Sequence, residues 1–169
     1  MMTTEVQTPV PSWGRSNDFV PVADVPTGVD EFQLADRLAI LDAMGRYSWA
    51  YDERQVVALG NSFTEDAVWE GSVAGEFAIE PIRGRDSISS WLQDHMANQP
   101  DQRRHNMTNH VFAAQNRESA EVIAYLLLTS ASSGQVKVVT TGFYRVKLIK
   151  DASGAWLISY MFGGFDTPF

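Results

Sequence analysis

Between Glu31 and Asp52 apolar residues return every three or four positions, the spacing of one helix face. With Tyr47 at zero and about 100° per residue, Leu34, Leu38 and Leu41 fall at roughly 120–180°, and Ile40, Met44 and Tyr51 at roughly 20–60°. The remaining sector, assigned to solvent, takes Asp36, Asp42, Arg46, Glu53 and Arg54. Asp52 falls at about 140°, among the leucines and away from the other charges. A carboxylate aimed at a core is costly unless something pairs with it.

After this helix the pattern predicts a short helix near Gln55–Phe63, ending at Thr64-Glu65-Asp66. Strands follow over Ala67–Gly71 and Phe77–Arg83, around a turn at Gly71–Gly75. Asp86 is the expected N-cap of a third helix whose apolar face carries Ile88, Trp91, Leu92, His95 and Met96, and Asn98–Gln102 with Pro100 breaks it. Period-2, β-branched and aromatic runs then predict strands Arg104–Gln115, Ala120–Ser132, Gln135–Ile149 and Ala155–Phe162. Helices first and long strands last is an α+β pattern. The expected architecture is a cone-shaped α+β barrel, with N-terminal helices in the concave face of a strongly curved, mixed but mostly antiparallel sheet.

Residues 1–30 lack a sustained period and contain Pro9, Pro11, Pro21 and Pro26, which predicts an extended N-terminal arm ahead of one domain over 31–169. Trp13, Phe19, Val20 and Val22 could lie along the domain or a neighbouring subunit. A formal charge of −8 without a basic cluster argues against nucleic acid and anionic membranes as partners. The absence of cysteine excludes disulfides and thiol chemistry. No apolar run has transmembrane length and residues 1–11 do not read as a secretory signal, so a cytoplasmic location is expected.

The candidate chemistry begins with alternation on the strand from Arg104. It puts His105, Met107, Asn109, Val111 and Ala113 on one face, and Arg104, Asn106, Thr108, His110 and Phe112 on the other. If the first set faces the helix, His105 can approach Asp52. The carboxylate would fix the tautomer by accepting one ring proton, leaving the other ring nitrogen to take a proton from substrate. Asn109 could then hydrogen-bond a developing enolate or carbonyl oxygen. The alternative is a surface Asp and a core His with no chemistry. His95 reads as packing, and His110 as an outer-face residue. Tyr47 and Tyr51, one turn apart beside Asp52, are the aromatics expected at a polar cavity. Three histidines without HxH or HExxH spacing, no phosphate loop and no GxSxG elbow leave metal, cofactor and serine-hydrolase chemistry unsupported, so no cofactor is expected.

The succession Tyr47-x-x-x-Tyr51-Asp52, Phe63-Thr-Glu-Asp-Ala-Val-Trp69, Gly84-Arg85, Arg104-His105-x-x-x-Asn109, Gly142-x-Tyr144 and Gly154-x-Trp156-x-Ile158 resembles SnoaL-like proteins of the nuclear-transport-factor-2-like superfamily. Within that superfamily it is most similar to the scytalone dehydratase, hexachlorocyclohexane dehydrochlorinase and bile-acid dehydratase group. That resemblance implies an Asp–His dyad at Asp52 and His105, and a catalytic tyrosine at Tyr47 or Tyr51. The second catalytic histidine of the scytalone enzyme has no counterpart, since Leu128–Ser132 supplies Ser or Thr instead. The implied function is a cofactor-independent lyase, dehydratase or isomerase acting on a mostly apolar cyclic small molecule. The alternatives are a polyketide- or terpenoid-type cyclase and a non-catalytic binding or dimerisation domain. Asn109, Trp69, Met107, Leu128 and Phe143 are the expected substrate-binding residues, around a closed pocket of roughly 300–1,000 Å³. A homo-oligomer, trimer or dimer, would bury an outer sheet face drawn from His110, Phe112, Tyr125, Leu127, Val139 and Phe143.

Overall fold

The computed structural model describes Pro11, Trp13, Val22 and residues 31–169. The rest of the expected N-terminal arm, including Phe19 and Val20, lies outside the described residues. Helix α1 spans Glu31–Asp52, α2 Val56–Gly60 and α3 Arg85–Ala97; the strands are β1 Phe63–Val73, β2 Phe77–Arg83, β3 Gln102–Gln115, β4 Ser119–Ser132, β5 Gln135–Lys150 and β6 Trp156–Phe165. The strands form one mixed sheet in the order β2-β1-β6-β5-β4-β3. Only β1 and β6 pair in parallel; the other four pairings are antiparallel. The helices pack on one face of this curved sheet, giving the expected α+β architecture. Among the described residues no helix is long and apolar enough to cross a membrane.

Most element boundaries follow the hydrophobic pattern closely, and the departures have local causes. Thr64-Glu65-Asp66, expected to end a helix, lies inside β1, whose buried residues Phe63, Ala67 and Trp69 anchor it to the core. The N-cap of α3 is Gly84 rather than Asp86, which sits in the first turn, where its charge suits the positive helix end. Ser133 and Gly134, both with positive φ, form the two-residue turn joining β4 to β5, as the twist of a tight hairpin requires.

On α1 the buried line runs through Asp36, Ile40, Met44, Tyr47 and Tyr51. Asp36, assigned to solvent from the sequence, is instead buried, accepting hydrogen bonds from Lys150 Nζ at 2.7 Å and Trp156 Nε1 at 3.2 Å. The leucine flank is open at its start, with Leu34 and Leu38 exposed, and becomes covered only near Asp52, where β3 passes. The apolar flank of the helix is therefore not what buries Asp52.

Alternation on β4 sends Val122, Ala124, Leu126 and Leu128 into the core and leaves Tyr125 and Leu127 on the outer face. Phe143, paired with Tyr125, shares that outer face and is covered by Trp13, with ring centroids 4.5 Å apart, and by Phe162. Phe112 and Val139, expected among the outer residues, pack against the core instead.

Candidate active site

Helix α1 ends at Asp52 because Arg54 adopts a left-handed conformation, φ 57°, and the Arg54 and Gln55 amides donate back to the Tyr51 and Ala50 carbonyls. A carboxylate at the negative end of a helix dipole is disfavoured by about 0.3–1 kcal/mol. Asp52 is nevertheless held there by β3. The backbone N–H of His105 donates to Asp52 Oδ2 at 2.8 Å, and His105 Nδ1 lies 2.6 Å from Asp52 Oδ1. The two side chains are only 5 % and 7 % exposed, so both contacts are shielded from competing water. One carboxylate thus fixes the strand and the imidazole together. Gln102 adds a hydrogen bond from Nε2 to the Asp52 carbonyl at 2.9 Å.

His105 lies on the wall of an inner cavity of about 60 Å³ that Tyr47, Tyr51, Trp69, Leu128 and Tyr144 also line. The ring of Tyr51 stands edge-on to His105 with centroids 4.7 Å apart, and its hydroxyl exchanges hydrogen bonds with the Gln99 amide. Burial pushes the Tyr47, Tyr51 and Tyr144 hydroxyls above the usual phenol range, although the Gln99 contact and Arg103 oppose this at Tyr51. They therefore stay protonated at neutral pH and serve as hydrogen-bond donors. The indole N–H of Trp69 is buried beside the Tyr47 hydroxyl. The cavity is well below the pocket size expected from sequence because Trp91, Phe165 and Phe169 fill the space with rings. The Phe165 and Phe169 rings pack at a tilt with centroids 4.7 Å apart, and Phe169 is half exposed at the edge.

On the other side of Asp52 and His105 an open groove of about 440 Å³ runs between Leu41, Ser48 and Trp49 of α1 and the free edge of β3. Met107 lines this groove rather than the cavity. Asn109 lines neither space. It adopts a left-handed conformation, φ 53°, where the β3–β4 register shifts between Thr108 and Val111. The bulge turns Asn109 to the outer face, into a depression of about 600 Å³ that it shares with Tyr125 and Phe143. Neither Asn109 nor Phe143 is therefore beside Asp52 and His105, contrary to the alternation reading.

The extra residue also reverses the phase beyond it. His110, assigned to the outer face, returns to the groove that holds Asp52 and His105, where burial lowers its pKa. His95, read as packing, lies tilted against Trp91 with centroids 4.3 Å apart and lines the cavity. The signals missed were the asparagine at a bulge, a residue type that tolerates positive φ, and the shared inner phase of Arg103 and His105. Among the described residues no three His, Asp or Glu side chains converge as metal ligands.

No curated protein matches this chain in sequence. Among solved structures, a candidate aromatic ring hydroxylase from Novosphingobium aromaticivorans superposes with a TM-score of 0.66 at 27% identity, covering 80% of this chain and 92% of the other. A Catenulispora acidiphila protein in complex with S-DNPA gives a TM-score of 0.69 at 23% identity, covering 79% and 96%. ActVI-ORFA from Streptomyces coelicolor gives 0.67 at 19% identity, covering 77% and 97%. The latter two establish likeness of fold alone. Residues 33–161 match the SnoaL-like domain, whose members include cyclases and dehydratases. Sequence match, sheet order and neighbouring structures agree: the chain belongs to the SnoaL-like domain family of the nuclear-transport-factor-2-like superfamily.

Proposed function

We propose that this chain is a cofactor-independent lyase or isomerase, a dehydratase in its simplest form, acting on a mostly apolar cyclic small molecule. The observation that carries this reading is the doubly hydrogen-bonded, buried Asp52–His105 pair at the edge of a cavity rich in phenol donors. Asp52 accepts the Nδ1 proton, so Nε2 carries the free lone pair. Asp52 lines the groove but not the cavity, whereas His105 lines both, and in this reading Nε2 serves the cavity side.

Nε2 takes the proton from a carbon next to a carbonyl, and the electron pair of that C–H bond moves into an enolate. Tyr47, Tyr51 and Trp69 donate to the enolate oxygen, and their role is polarisation rather than proton delivery because burial makes the phenols weak acids. The enolate then expels a β-hydroxyl. The C–O bond breaks, and the imidazolium returns the same proton to the departing oxygen, releasing water. Returning that proton to another carbon gives isomerisation. One histidine serves both steps, consistent with Thr129 and Ser130 standing where the scytalone enzyme has a second histidine. Leu128 lines the apolar wall, and Met107 lies at the groove side. A cyclic substrate needs Phe169 to swing from Phe165, since the cavity is several-fold smaller than an ordinary ligand pocket of roughly 300–1,000 Å³.

The test is turnover of cyclic β-hydroxyketones followed by loss of water. His105→Ala should lower the rate by about 10²–10⁴-fold while its circular dichroism matches wild type. Wild-type rates in that variant would sink the mechanism. The small cavity favours a second reading, a non-catalytic binding domain, which predicts ligand binding without turnover in either protein.

We further propose a homo-oligomer that covers the exposed Tyr125 and Leu127 face, with the location of the chain cytoplasmic. Light scattering should give a dimer or trimer that Tyr125→Glu dissociates; a monomeric wild-type protein at micromolar concentration would refute this.

A further inference from the structure

Arg103 precedes His105 by two residues on β3 and so projects to the same inner face. Its guanidinium is held by one contact. Nε lies 3.0 and 2.9 Å from the two oxygens of Asp101, and both side chains are largely buried. This differs from the two-nitrogen fork that normally satisfies an arginine against a carboxylate. Nη1 is buried and has no partner among the described residues. Across the strand pair from Arg103, the Ser130 hydroxyl is buried beside the same Asp101 carboxylate.

Leaving a buried donor of a charged group unsatisfied is costly, so a chain rarely keeps one without use. Arg103 lines the inner cavity beside Tyr51, Gln99 and His105. The other ionisable side chains of its lining are histidines and tyrosines. In a chain of net charge −8, this lining contains no Asp or Glu side chain. Asp101 holds the guanidinium through Nε and leaves Nη1 for a ligand.

We propose that Arg103 anchors an anionic oxygen of the ligand, either a carboxylate or an ionised enol or phenol, so that the substrate of this site is an acidic rather than a neutral cyclic molecule. This rests on the reading of the inner cavity as the substrate site, but not on the proton transfer by His105. The anchored oxygen lies at the β3 side of the cavity, near the imidazole, so Arg103 also sets which carbon of the ring meets His105.

The experiment compares benzoate with benzamide, two rings of like shape that differ in charge, by quenching of tryptophan fluorescence; Trp69 and Trp91 line the cavity. The intact wild-type protein should bind benzoate roughly tenfold or more tightly than benzamide. Arg103→Met should bring that ratio to about one, and Arg103→Lys should keep part of it, because a point charge remains without the planar fork. 4-Nitrophenol, titrated by its absorbance, distinguishes the two sources of charge. A bound dye that ionises at lower pH than the free dye, together with weak benzoate binding, assigns an enol or phenol; the reverse assigns a carboxylate. Both readings use wild-type protein and survive a variant that does not fold. Asp52→Asn should retain the benzoate preference, so a failed dyad and a failed anchor give different results. Equal binding of benzoate and benzamide by wild type, no saturable binding of either anion at millimolar concentration, or an undiminished preference in folded Arg103→Met overturns the proposal.

Discussion

Replacing Asp52 by asparagine exchanges one side-chain oxygen for an NH₂ group and should move a proton on a neighbouring residue. In the wild-type protein the two carboxylate oxygens face two donors, the His105 backbone N–H at 2.8 Å and the ring Nδ1 at 2.6 Å. The backbone group can only donate. The new side-chain amide must therefore turn its oxygen towards it, since the opposite orientation would set N–H against N–H at a cost of about 1–3 kcal/mol. That orientation aims the NH₂ group at Nδ1, which must then accept. The ring proton moves to Nε2, and the lone pair that would take a substrate proton is lost. For stability, two hydrogen bonds to a charged group, each contributing about 1.5–3 kcal/mol, become neutral ones of about 0.5–1.5 kcal/mol. Relief of the unfavourable helix-end charge returns about 0.3–1 kcal/mol. The net loss is about 1–3 kcal/mol, which lowers Tm by roughly 2–12 °C for a chain of this length. Long-range ¹H–¹⁵N spectra of the imidazole read the tautomer without any substrate. Wild type should carry the ring proton on Nδ1 and Asp52→Asn on Nε2. An Nε2-protonated wild type, or a folded variant that keeps its proton on Nδ1, would refute the reasoning.

Two further outcomes follow from other parts of the fold. Asn109 adopts positive φ at the β3 bulge, so Asn109→Val should cost about 1–2 kcal/mol and Asn109→Gly almost nothing, read as shifts in the urea midpoint; equal midpoints for all three proteins would mean that this conformation is not required. The Lys150 ammonium hydrogen-bonded to Asp36 holds its carboxyl below the ordinary range. The folded pKa is depressed, so the contribution of Asp36 is complete above about pH 4 and is lost as pH falls through the folded value. Asp36→Asn should therefore lower Tm at neutral pH and flatten its fall in acid, and a parallel acid profile for the two proteins would contradict this.

Hydrophobic period alone located α1 and the four long strands to within a few residues, because these elements are long and each repeats one spacing many times. The resemblance of Tyr51-Asp52 and Arg104-His105 to known relatives paired the two residues that the fold brings to hydrogen-bond distance. What the chain could not reveal was decided by a single backbone event and by tertiary partners. Strict alternation sent Asn109 inward and His110 outward; one left-handed residue exchanged them, because an inserted residue reverses the phase that follows it, here as far as the second register shift between Phe112 and Ala114. Helical phase put Leu34 and Asp52 at one angle, yet β3 covers only the end of that flank, so the leucine is exposed and the carboxylate buried. Asp36 was charged and so assigned to water, whereas Lys150 and Trp156, more than a hundred residues away in sequence, make its burial tolerable. Period is a property of neighbours along the chain and is written in the sequence. Burial and pairing belong to whichever distant strand arrives, and the tertiary structure alone decides them.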